Sequence, residues 1–188
     1  GHGESSGKFS TKCLSDWYMD SEFMIKKLTK GKQILVGSSM GGWIMLMLAK
    51  NLPKKIFGMI GLAPAPDFTK LLIWNKMSER QKRILIKSKE ISIKNDDGVK
   101  NIYSYNFLKD SFKNLVFSEK LYFDGPLYLY HGMADNDVPY QLSINITKNI
   151  IGSENVYLLL EKDADHRLSG NKQLKTIVEI IKKIKNLG

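Results

Sequence analysis

Glycines 37 and 41 bracket Ser39 in Gly37-Ser38-Ser39-Met40-Gly41, a G-x-S-x-G pattern. The pattern carries chemistry in one setting, a buried strand before it and a helix straight after. Both are written here. Gln33-Ile34-Leu35-Val36-Gly37 is an apolar run of strand length, and residues 41–51 form an almost wholly apolar helical segment ending before Pro53. The chain must turn sharply between them, which is expected to hold Ser39 in a strained conformation. Glycine at 37 and 41 would avoid side-chain clashes there, and Gly42 would let the helix approach the sheet. The Ser39 hydroxyl then stands at a helix N-terminus, where the dipole favours developing negative charge, and the Met40 amide is the candidate oxyanion donor.

A serine hydroxyl needs a base to act as a nucleophile at neutral pH. Of three histidines, His2 lies in the opening turn and His131 ends a strand just before Gly132. His166 lies in Asp163-Ala164-Asp165-His166-Arg167, between the last strand and the last helix. That loop leaves the edge of the sheet at which Ser39 also sits, so His166 is the candidate base. Asp135, in His131-Gly132-Met133-Ala134-Asp135-Asn136-Asp137-Val138-Pro139, is the candidate orienting acid. The chain order Ser39, Asp135, His166 matches the Ser…Asp…His order expected where the nucleophile sits on a strand-turn-helix. Asp137 is a rival on the same loop, expected instead near a helix N-terminus at Pro139. Asp165 is a weaker rival, because adjacent side chains seldom face one another.

The elements that must hold these residues alternate. A helix is expected over Leu14–Leu28, with Ser10 and Thr11 as candidate caps and Gly31 as its stop. Strands follow at 33–37, 56–62, 127–131 and 156–160, with helices near 139–151 and over the last residues, where Leu174, Ile177, Val178, Ile181, Ile184 and Leu187 recur at helical spacing. Apolar strands alternating with helices imply a mostly parallel sheet covered on both faces. Residues 64–124 break the pattern after Ala63-Pro64-Ala65-Pro66, with aromatics among short helical patterns and a turn-like Asn95-Asp96-Asp97-Gly98. A segment of this length reads as an inserted helical cap, and its aromatics are candidates to line an acyl pocket. The division is therefore a core of residues 1–63 and 125–188 and a cap of 64–124.

Composition sets outer bounds. The 188 residues suffice for one domain, at 43% hydrophobic and 26% charged. No run approaches the roughly eighteen apolar residues of a membrane span. Cys13 is alone, which suits a reducing compartment, and cytoplasm is the default address. The net charge of +10 is spread over lysines, with three arginines, Arg80, Arg83 and Arg167. That pattern reads as solvated surface, so neither nucleic acid nor stable membrane insertion is expected.

The nucleophile turn, the H-G-x-x-D-x-x-V-P loop and the final Asp165-His166 together resemble the α/β-hydrolase superfamily. More narrowly, Val36-Gly37-Ser38-Ser39-Met40-Gly41-Gly42-Trp43, His131-Gly132-Met133 and Asp165-His166-Arg167 resemble its mitochondrial branch known for depalmitoylation and acyl-glucuronide hydrolysis, with bacterial relatives. The resemblance implies hydrolysis of an ester or thioester of a small or acylated substrate, with no cofactor and no metal. It also implies early strands absent from this sequence, which in the family supply a second oxyanion amide. Two expectations follow: a hydrolase whose sheet is completed by a complementing N-terminal segment, or an impaired remnant that only binds a partner.

Overall fold

In the computed structural model, residues 2–94 and 100–187 are described. The turn-like Asn95-Asp96-Asp97-Gly98 lies outside them. The chain divides into two compact units, Ser21–Pro66 with Val116–Gly188, and Gly1–Asp20 with Asp67–Leu115.

The first unit is built on a parallel sheet. Helix α1 (Leu14–Leu28), whose residues up to Asp20 belong to the other unit, leads into β1 (Gln33–Ser38), α2 (Met40–Asn51) and β2 (Ile56–Leu62). The other unit contributes α3 (Glu79–Ser88), β3 (Glu90–Lys94), β4 (Lys100–Ser104) and α4 (Tyr105–Ser111). The chain then returns through β5 (Leu121–Tyr122), β6 (Leu127–Gly132), α5 (Gln141–Asn149), β7 (Ile150–Ile151), β8 (Val156–Glu161) and α6 (Asn171–Lys185). Four strands form the sheet in the order β1-β2-β6-β8, each pair parallel. β5 and β7 make a separate short parallel pair.

Met59 and Ile60 are adjacent in β2, so they point to opposite faces, and both are fully buried. Helices must therefore cover both faces of the sheet. α6 covers one, with Ile180 and Ile184 packed on Ile60. Its apolar residues recur every three or four positions, while lysines 172, 175, 182, 183 and 185 lie between them. α2 is buried from Gly42 to Ala49, and so is apolar all round. β1 borders the described sheet, and Val36 on it is half-exposed.

The second unit holds its own core of Met77, Leu85 and Leu108. α3 starts in a capping box, with Ser78 and Gln81 satisfying each other's backbone N–H groups. An antiparallel pair, β3 with β4, joins the expected helices here. Ile91 and Ile93 alternate with exposed residues and pack on the unit's core. The α1 caps also differ from expectation. Ser10 and Thr11 sit in a preceding 3₁₀ turn, and the Asp16 carboxylate accepts from the Cys13 N–H instead.

Candidate active site

Three loops at the C-terminal ends of β1, β6 and β8 bring one residue each to a common point. Ser39 stands between β1 and α2 with φ 53° and ψ −121°, a strained backbone for a residue with a side chain. Its N–H donates to the Leu62 carbonyl at 2.9 Å, and its carbonyl accepts from Gly42 at 2.9 Å and Ala65 at 3.0 Å. These bonds hold the turn in place. The Ser39 hydroxyl makes no capping bond to α2, which leaves it for other work.

The glycines around Ser39 divide differently from the sequence expectation. A Cβ on Gly37 would lie 2.5 Å from the Gly41 carbonyl oxygen, and one on Gly42 would lie 2.5 Å from Pro64 Cβ. A Cβ on Gly41 would meet nothing within 4 Å. Crowding therefore requires glycine at 37 and 42, and not at 41. Gly42 makes room for the loop that leaves β2.

His166 lies between β8 and α6, its side chain about one-fifth exposed. Its Nε2 is 3.0 Å from Ser39 Oγ, and its Nδ1 is 2.7 Å from Asp135 Oδ2. A carboxylate oxygen only accepts, so the proton sits on Nδ1 and Nε2 is free to accept from the serine hydroxyl. The Asp135 side chain is 1% exposed. Its Oδ1 accepts the N–H groups of Asp137 at 2.9 Å and Val138 at 2.8 Å, and its Oδ2 also faces His131 Nε2 at 3.1 Å. The structure thus brings Ser39, Asp135 and His166 together in a hydrogen-bonded chain. Met40 opens α2, and its N–H belongs to the first turn, where no helical carbonyl is available to it.

Neither rival acid orients His166. Asp165 Oδ1 accepts from the N–H groups of Arg167 and Leu168, which shapes the turn behind His166. Asp137 is exposed and does not serve α5, whose first turn contains no acid. The expected helix N-terminal role for Asp137 therefore does not hold, because α5 begins only at Gln141. Donor atoms of Asp135, Asp137 and His166 lie within 4.8 Å of one another, close enough to share a cation, although two of them already face each other. His2 lies among Phe9 and Trp17, in the other unit.

Sequence reasoning assigned no role to His131. Its ring contacts Asp135, and the signal was the i, i+4 spacing within His131-Gly132-Met133-Ala134-Asp135. Backbone contact fixes the loops that carry acid and base. The Met133 N–H donates to the Glu161 carbonyl at 2.8 Å and the Ala134 N–H to the Ala164 carbonyl at 3.1 Å. A Cβ on Gly132 would lie 2.1 Å from that same Ala164 oxygen.

Residues 1–173 match the family profile described as "Serine aminopeptidase, S33". The human palmitoyl-protein thioesterase ABHD10, mitochondrial, is 32% identical over 186 residues, 96% of this chain and 59% of the human protein. The mouse protein of the same name is 34% identical over 170 residues, 89% of this chain and 57% of its own length. The chain thus spans somewhat less than three-fifths of the length of these curated relatives. Among solved structures, alpha/beta hydrolase domain-containing protein 10 from mouse superposes with a TM-score of 0.89 at 28% identity, over 99% of this chain and 75% of that one. A chain from Agrobacterium vitis S4 gives the same TM-score at 32% identity, over 98% and 73%. With parallel strands, helices on both faces and the strained serine turn already in place, the profile match over most of its length shows that this chain belongs to the serine aminopeptidase S33 family of α/β hydrolases.

Proposed function

We propose that this chain hydrolyses carboxylic esters or thioesters by two-step acyl transfer through Ser39. The observation that carries the reading is the linear relay, Ser39 Oγ to His166 Nε2 at 3.0 Å and His166 Nδ1 to Asp135 Oδ2 at 2.7 Å. Ser39 Oγ attacks the carbonyl carbon as its proton passes to His166 Nε2, and Asp135 stabilises the resulting imidazolium. The tetrahedral oxyanion takes the Met40 N–H as a donor. Collapse breaks the bond to the leaving alcohol or thiol, which departs with the proton from Nε2 and leaves acyl-Ser39. Water then gives its proton to Nε2 and attacks the acyl carbon. Ser39 Oγ is released with that proton, and the acid product leaves.

Relatives named palmitoyl-protein thioesterase support a long acyl chain in thioester linkage as the substrate class. The test is active-site labelling with a fluorophosphonate probe followed by turnover of palmitoyl thioester and short-chain aryl ester substrates. Labelling of the folded chain that vanishes in Ser39→Ala is the expected result. A folded chain that never labels would sink the proposal and favour a role limited to binding.

A further inference from the structure

His131 is the penultimate residue of β6, its ring is fully buried, and the acyl-transfer sequence gives it no proton to carry. Its two nitrogens nonetheless both meet polar atoms. Nδ1 is 2.7 Å from Ser143 Oγ on α5, and Nε2 is 3.0 Å from the Val138 carbonyl oxygen and 3.1 Å from Asp135 Oδ2. A carbonyl oxygen can only accept, so Nε2 carries a proton. Burial pushes the His131 pKa down, against the opposing pull of the Val138 carbonyl and Asp135. The ring is therefore neutral, and its bare Nδ1 accepts from the buried Ser143 hydroxyl. The titratable groups bearing on it are Asp135, on the adjoining loop, and His166, from the loop after β8. α5 brings the uncharged Ser143 to the ring.

Building on the acyl-transfer reading, we propose that His131 is a positioning residue for that reaction: fixed as its Nε2–H tautomer by the Val138 carbonyl, it donates to Asp135 Oδ2 and keeps this carboxylate aimed at His166. Two backbone N–H groups anchor Oδ1 alone, so a second anchor is needed to stop Oδ2 swinging away from Nδ1. A neutral donor suits the place better than a cation. It stabilises the buried carboxylate without cancelling the negative charge that His166 requires when it becomes imidazolium.

The test uses two variants and one measurement on the unchanged chain. His131→Gln keeps an amide N–H near the position of Nε2, whereas His131→Met fills similar space with no donor. Fluorophosphonate labelling of Ser39 is expected to slow about 10- to 100-fold in His131→Met and to stay within about threefold of the unchanged rate in His131→Gln. The acidic midpoint of the rate–pH profile should rise in His131→Met only, because a carboxylate with one donor fewer is more basic and holds the His166 proton to higher pH. Nitrogen NMR of the unchanged chain near neutral pH should find His131 uncharged, with its proton on Nε2. A proton on Nδ1, or a charged ring at that pH, overturns the proposal even where neither variant folds. Equal slowing in both variants with an unmoved midpoint also overturns it, since that is the mark of a packing role. Equal labelling of His131→Met and the unchanged chain removes the proposal alone. An unchanged chain that folds and never labels removes the acyl-transfer reading beneath it.

Discussion

Replacing Asp135 by asparagine would preserve the outline of the side chain and reverse its polarity at one atom. If the amide nitrogen took the place of Oδ2, it would face the N–H of His166 donor to donor; if the amide oxygen did, the negative charge would still be gone. Asp135→Asn is expected to lower kcat/KM on an aryl ester by at least about a thousandfold with little change in KM, which steady-state kinetics will read. The glycines make a prediction of a different kind. Gly42→Ala forces a methyl group against Pro64, 2.5 Å from its Cβ, and should cost about 1–3 kcal/mol. Gly41→Ala meets open space inside a helix and should leave stability unchanged or raise it by up to about 1 kcal/mol. Thermal melts of the pair will separate crowding from the mere presence of the G-x-S-x-G pattern.

At the scale of elements, a side-chain clasp closes the loop that carries His166. Glu161, the last residue of β8, accepts from the Tyr130 hydroxyl on β6 and from Lys172 and Gln173 in the first turn of α6, at 2.7 and 2.9 Å. Burial, then the bond to Glu161, raises the Tyr130 pKa from 10 to about 12. The folded state therefore holds this proton after the unfolded chain has lost it. The resulting stability is complete below pH 10 and lost as pH rises towards 12. Tyr130→Phe should thus flatten the decline of melting temperature between pH 10 and pH 12 relative to the unchanged chain, with lysine titration common to both. Equal declines would show that the phenol contributes no alkaline sensitivity. Glu161 works in the opposite sense. Lys172, then Tyr130, hold its pKa below the ordinary 4.5, so its contribution is present above that pH and is lost as acid titrates the folded carboxylate.

Across the whole molecule, each unit buries an aliphatic centre of its own. Ile60→Ala in the sheet and Leu85→Ala in the other unit should each cost about 2–5 kcal/mol, since both side chains are fully buried. Urea unfolding monitored by tryptophan fluorescence, to which buried Trp43 contributes, should register the Ile60 substitution as a lower midpoint. The sheet was the legible part of the sequence. The apolar run from Ile56 to Leu62 has the same bounds in the structure, and Ser39, Asp135 and His166 fall on the predicted loops. What escaped depended on partners distant in sequence or on weak patterns. Five residues of alternation at Glu90–Lys94 give little to separate strand from helix until Tyr103 and Ile102 lie opposite them. The role of Gly42 required Pro64, and that of His131 required Ser143, twelve positions along on another element.

Gly132 draws one more consequence from the contact between its backbone and Ala164. Acid and base are spaced there by main chain lying on main chain, with no side chain serving as a shim. Such a gauge has no adjustable part. Changes elsewhere on the surface can accumulate without altering the reach from Asp135 to His166, whereas any side chain at 132 would drive the two loops apart like a wedge. A library randomised at that position should return glycine alone among its active members.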